Sequence, residues 1–227
     1  GHQVTVVAPD RNCSGASQAL TLRQPIVVNW LDASTVSVQG TPADCIHLAL
    51  NGLLEHRPDL IISGINSGEN LGDDVWYSGT VAAASEGYLA GISALAISLV
   101  GAQYFDTAAR IACDLIVQVS SLNTPFLLSV NVPDVPFDAL SGMRVSRQGR
   151  RQVKARQSLV ASKLCGQTAY WIDAPMSPTL DSCRQGCDFG DIQSGYVTVT
   201  PLNIDRTDQA QCELLTEYCV LKQAGEV

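Results

Sequence analysis

Residues 60–89 read LIISGINSGENLGDDVWYSGTVAAASEGYL. The stretch opens on Leu60 to Ile65, an apolar and β-branched run suited to a fully buried strand. It closes on Gly79 to Leu89, an Ala-rich segment that predicts a helix. Between them, the string SGINSGENLGDDVWYSGT, Ser63 to Thr80, is long and rich in Gly, Asn and Ser. Loops of this length are uncommon inside compact domains and are often functional. Strand, polar loop and helix in that order make a βα unit, and parallel α/β sheets bind ligands at the carboxyl ends of their strands.

The same alternation extends in both directions. Upstream, Gln3 to Ala8 (QVTVVA) predicts a strand stopped by Pro9, and Pro25 to Trp30 with Thr35 to Val38 predict a short β pair. Thr41-Pro42-Ala43-Asp44 places an N-cap, a first-turn proline and an acidic N3 residue at the start of a helix. That helix should reach about Leu54, with Ile46, Leu50, Leu53 and Leu54 on one face. Downstream, Ile92 to Val100 and Phe126 to Val132 read as buried strands. They flank a helix, Asp106 to Ser120, with Ala109, Ile111, Leu115, Ile116 and Val119 inward. Apolar strands between amphipathic helices predict an α/β fold: a three-layer α/β/α, Rossmann-like, mostly parallel sheet.

Residues 1–140 form the core in this reading. Residues 141–227 add a C-terminal β-rich arm, a returning strand and a final helix to the same domain. Met143 to Arg147, Arg150 to Lys163 and Ala169 to Ile172 carry the β-rich excursion. Ser177 to Gly190 reads as a loop, Gly195 to Leu202 as a strand, and Asp208 to Lys222 as a helix turning Leu214, Leu215, Tyr218 and Leu221 inward.

Composition narrows the function. Of 227 residues, 46% are hydrophobic and 16% charged, enough for one sizeable core. The net charge of −8 and pI near 4.7 argue against long nucleic acid as a partner. The longest apolar run, around Leu89 to Val100, is too short to span a bilayer, and no charged-then-apolar leader opens the chain. Eight cysteines (Cys13, Cys45, Cys113, Cys165, Cys183, Cys187, Cys212, Cys219) include no Cys-x-x-Cys pair. The expectation is a cytoplasmic protein with free thiols, a Cys183–Cys187 bridge being the alternative.

Two polar strings fall at strand ends: APDRNCSGAS, Ala8 to Ser17, and the Ser63 to Thr80 string. Ser78-Gly79-Thr80 opens a helix, where hydroxyls and unused N–H groups attract anions. The plain alternative is that Ser78 or Thr80 only caps the helix. Beside Asn66 and Asn70, a phosphate pocket is the better reading. Asp73 and Asp74 are adjacent and point different ways, so loop stabilisation suits them better than a shared metal. His47 and His56 lack a second ligand at helical spacing and read as structural. A GxSxG elbow, a Walker A loop and a GxGxxG turn are absent from the sequence.

The two strings, together with Gly40 to Cys45 (GTPADC), resemble the SurE family of survival proteins in order and spacing. Weaker likeness continues through Leu128 to Asp134, Met143 to Gly149, Tyr170-Trp171 and Gly195 to Leu202. The resemblance implies a metal-dependent phosphatase acting on nucleoside monophosphates at the 5′ or 3′ position. It implies Ser14 and Asn66 as metal ligands, Asn70, Ser78, Gly79 and Thr80 as the phosphate-binding group, and Mg²⁺ or Mn²⁺ as the cation. It also implies a homodimer or homotetramer built through the C-terminal arms.

The family pattern begins with a strand ending in Asn-Asp-Asp-Gly, whose aspartates complete the metal site. No residues here match that pair, so no catalytic residue is assigned, and one βα unit is expected to be absent upstream of Gln3. On that expectation the 227-residue chain alone has little activity and exposes unpaired strand edges. The alternatives are a non-catalytic nucleotide- or phosphate-binding relative and an inactive fragment. A dehydrogenase on a similar sheet is disfavoured, because the glycine fingerprint and its acidic ribose ligand are absent.

Overall fold

The structure is a computed structural model that describes residues 1–150, 160–164, 167–171, 186–216 and 218. Strand β1 (Val6–Pro9) pairs in parallel with β3 (Thr35–Val38), and β2 (Val28–Trp30) lies antiparallel on the other side of β3. Helix α1 (Pro42–Leu48) covers this small sheet through Cys45, which packs with Val36 and Val38. Its start is a complete capping box. Thr41 Oγ1 accepts from the Asp44 amide at 3.1 Å, and Asp44 Oδ2 accepts from the Thr41 amide at 2.8 Å.

The helix expected to reach Leu54 widens instead into a π-helical turn over Ala49–Leu53. Gly52 lies inside that turn, with open space where a side chain would sit.

A second sheet has the order β4-β5-β6-β10-β7, with β4 at Leu60–Ser67, β5 at Ser93–Val100, β6 at Leu127–Pro133, β7 at Gly142–Val145 and β10 at Tyr196–Pro201. The first three are parallel neighbours. Strand β10 returns antiparallel to β6 and parallel to β7. Alternation along β5 shows why it sits centrally. Leu95, Ile97 and Leu99 join Ile111 and Leu115 of α3 (Phe105–Val119) on one face. Ala94 and Ala96 meet Val81 and Ala84 of α2 (Gly79–Leu89) on the other. Small residues on that second face let α2 lie close, and a Cβ on Gly87 would collide with the end of Ile61. Helices on both faces of a mostly parallel sheet give the expected α/β architecture.

Other expectations need correction. The buried stripe of α3 runs through Ala108, Ile111, Ala112 and Leu115 at helical spacing, which leaves Ala109 exposed. Residues 188–193, read partly as loop, form a short helix α4 (Asp188–Gln193) whose Phe189 is buried. Helix α5 covers only Gln209–Thr216, and its Leu214 and Leu215 are exposed, as is Tyr218. Among the described residues nothing apolar buries that face. Leu221 lies outside the described residues.

The arm does contain an antiparallel pair, β8 (Val160–Leu164) with β9 (Gln167–Trp171). Among the described residues no helix is long and apolar enough to cross a membrane.

Candidate active site

The loop after β1 and the loop after β4 meet at the start of α2. Ser17 donates its Oγ hydrogen bond to the Trp76 carbonyl at 2.6 Å, and its amide to the Tyr77 carbonyl at 3.1 Å. A Cβ on Gly79 would lie 2.8 Å from Pro42 Cγ and 3.6 Å from the Cys13 carbonyl. Gly79 therefore lets α1, the first loop and the start of α2 converge. Ser14, exposed in the first loop, donates through its amide and Oγ to Asn12 Oδ1 at 2.8 and 2.7 Å.

At the start of the second loop a register shift between Ser63 and Asn66 bulges β4, and pairing with β5 resumes at Asn66 and Ser67. Asn66 is half-buried and its amide group donates to the Gly68 carbonyl at 2.9 Å. Asn70 is buried and doubly tied. Its backbone amide donates to Asn131 Oδ1 at 2.8 Å, and Asn131 Nδ2 donates back to the Asn70 carbonyl at 3.2 Å. Asn70 Nδ2 donates to Ser98 Oγ at 2.7 Å. The expected phosphate residue thus also anchors the loop onto β5 and β6.

Ser98 and Asn131 were missed by sequence reasoning. The signal was available, since a polar residue inside SALAISLV or LLSVNVP must find a buried partner.

Ser78 caps α2, its Oγ accepting from the Val81 amide at 3.1 Å. The capping reading is therefore realised. It leaves the N–H groups of Gly79 and Thr80, at the head of an 11-residue helix, outside the helical ladder. Asp73 takes an exposed hydrogen bond from the Arg150 side chain at 3.0 Å. His47 Nδ1 lies 2.9 Å from Glu86 Oε1, a link between α1 and α2 that fits its structural reading.

Two buried aspartates brace the loops. Asp44 accepts from Thr21 Oγ1 at 2.6 Å and the Thr21 amide at 2.8 Å, as well as from Thr41. Burial raises its carboxyl, but the Thr21 and Thr41 hydrogen bonds outweigh that and hold it below the ordinary range. Asp188 accepts from the amides of Gly72 at 2.7 Å, Gly149 at 2.8 Å and Phe189 at 2.9 Å. There burial wins and pushes the carboxyl up. Gln148 Nε2 adds a bond to the Gly72 carbonyl at 2.6 Å.

A cleft of about 900 Å³ opens from Ser78 along α2 toward the segment after β10, with Trp76 and Arg206 on its wall.

The donors fit a divalent cation in type but not in charge. Ser14 and Asn66 offer hard, neutral oxygens, and each makes its hydrogen bonds within its own loop. Among the described residues no group of three or more His, Cys, Asp or Glu is placed to hold a metal. Cys45 next to this region is inert: burial, then the Asp44 charge, push its thiol up to about 12.

Residues 1–155 match the family model described as Survival protein SurE. The chain is 46% identical over 217 residues to the 5′-nucleotidase SurE of Mannheimia succiniciproducens, covering 95% of this chain and 87% of that protein. It is 49% identical over 208 residues to the 5′-nucleotidase SurE of Vibrio campbellii, covering 90% and 80%. The crystal structure of the SurE protein from Aquifex aeolicus superposes with a TM-score of 0.82 at 37% identity, over 95% of this chain and 88% of that one.

Proposed function

The chain belongs to the SurE family, and on that premise we propose that it is a 5′-nucleotidase converting nucleoside monophosphates to nucleoside and phosphate. The observation that supports this most directly is the convergence of the two loops on the head of α2. The Gly79 and Thr80 N–H groups and the helix dipole meet the phosphate oxygens there.

Water attacks phosphorus, the bond to the nucleoside oxygen breaks, and that oxygen leaves with a proton. Charge spreads over the three phosphoryl oxygens on the way, so fixed donors at their positions lower the barrier. Asn70, locked to Ser98 and Asn131, keeps the second loop from drifting during that change. Ser17 does the same for the first loop by fastening it to Trp76 and Tyr77.

The proposal extends to Mg²⁺ or Mn²⁺, with Ser14 and Asn66 lending oxygens. Ser14 and Asn66 would hold such an ion by neutral oxygens alone, and it would supply Lewis-acid polarisation of the phosphoryl group. Hydrolysis of 3′-phosphates, a cytoplasmic location and homodimeric or homotetrameric assembly belong to the same reading. The test is phosphate release from adenosine 5′-monophosphate with Mn²⁺ or Mg²⁺, with and without chelator. Asn66→Ala should raise the metal concentration needed for half-maximal rate by about tenfold or more. Metal-independent nucleotide binding with no phosphate release under any condition would refute hydrolysis.

A further inference from the structure

We propose that Trp76, backed by Arg206, is the stacking platform for the nucleobase of the substrate; this rests on the nucleotidase reading above. Trp76 ends the 3₁₀ turn Gly72–Trp76, two residues before the Ser78 cap. Two residues of chain span at most about 7 Å, so the Trp76 backbone lies near the phosphate end of the cleft, and Trp76 and Ser78 both line it. Its side chain is large, aromatic and 43% exposed, and it lines the cleft that runs from Ser78.

Both ends of the platform are fixed. The Trp76 carbonyl is held by Ser17 Oγ at 2.6 Å. Arg206 places its guanidinium 4.2 Å from the centre of the indole ring. The backbone around Arg206 is itself held by two side-chain turns: Asn203 Oδ1 accepts from the Asp205 amide, and Asp205 Oδ1 from the Thr207 amide, both at 2.9 Å. Leu202 and Ile204 seat the segment against the cluster under α2.

A flat aromatic face stacks any base through its π surface, and an arginine guanidinium beside it adds a cation–π contribution. Arg206 and Trp76 share one cleft with Ser78, so a nucleotide whose phosphate rests on the α2 amides sets its base on that wall. A phosphate ester without a base gains nothing from it.

The experiment is calorimetric binding of adenosine 5′-monophosphate and of ribose 5-phosphate to the wild-type chain, Trp76→Leu, Trp76→Phe and Arg206→Gln, alongside phosphate release from both. Wild type should bind the nucleotide about tenfold tighter than the sugar phosphate. Trp76→Leu should remove that advantage, Trp76→Phe should restore most of it, and Arg206→Gln should remove part, with ribose 5-phosphate binding unchanged throughout. Equal wild-type affinities, absence of nucleotide binding, or an equal loss for both ligands in Trp76→Leu would overturn the platform. Nucleotide binding that depends on Trp76 without phosphate release would instead refute hydrolysis and keep the platform.

Discussion

Asp44 and Asp188 brace different loops of the candidate site and perform the same mechanical task. Each is 2% exposed or less, each belongs to the first turn of a helix, and each ties a distant loop to that helix. Their electrostatics differ in sign. Asp44 draws on a threonine hydroxyl as well as amides and keeps its charge easily. Asp188 relies on backbone amides, lies deeper in the protein, and carries its charge at a cost. Buried carboxylates with similar hydrogen-bond counts thus brace the site under different terms, set by depth and donor type.

The comparison breaks most visibly at Asp188. Asp188→Ala leaves the Gly72, Gly149 and Phe189 amides without their acceptor and should cost roughly 3 kcal/mol or more in urea unfolding. A loss under about 1 kcal/mol would show that water replaces the carboxylate freely. Next comes Gly72→Ala. Gly72 has φ +53° and a Cβ there would strike the Phe189 ring, so a loss of about 2–3 kcal/mol is expected by the same assay. Asp44→Ala removes a capping box and the Thr21 tether, for about 2 kcal/mol, with earlier proteolysis around residues 18–24 as the local sign.

Acid sharpens the contrast with smaller effects. Asp44 is lowered from 3.8, so its contribution is complete above that value and lost as pH falls through its folded value. Asp188 is raised from 3.8, so the folded form takes its proton first, and stability gains as pH falls from above the folded value toward 3.8. Urea midpoints across this range should show a smaller gain for Asp188→Asn than for wild type. Asp44→Asn should lose less than wild type at the lowest pH. Identical profiles in all three proteins would remove the distinction. The smallest effect is chemical: iodoacetamide at pH 8 should label the exposed Cys113 and Cys212 while sparing Cys45 in the folded chain.

Much of this arrangement was legible in the residues. Apolar runs such as SALAISLV located the central strands, and Thr41-Pro42-Ala43-Asp44 announced a helix start down to its capping partner. Those signals are local, which is why they survive in a linear text. The braces are not local. Thr21 to Asp44 and Gly72 to Asp188 join residues far apart in sequence; Asp44 was legible at a helix start but not as the anchor of Thr21, and Asp188 does not stand out from the other acidic residues. Residues 188–193 were misread for a related reason. Two aspartates and a glycine look like loop, and only the burial of Asp188 and Phe189 makes a helix of them. The apolar face of α5 shows the reverse failure, since periodicity names a face without naming what covers it.

The position of β10 has a consequence for synthesis. Strand β7 pairs with β10 alone among the described strands, yet about fifty residues of chain separate the end of one from the start of the other. As the polypeptide leaves the ribosome, β4, β5 and β6 can assemble in order, while Gly142–Val145 must wait as an orphan until Tyr196–Pro201 slides in between. The nascent sheet therefore keeps its β6 edge open, as well as its β4 edge, through the translation of the whole arm. That interval is when a chaperone or a neighbouring nascent chain has its best opportunity to intervene.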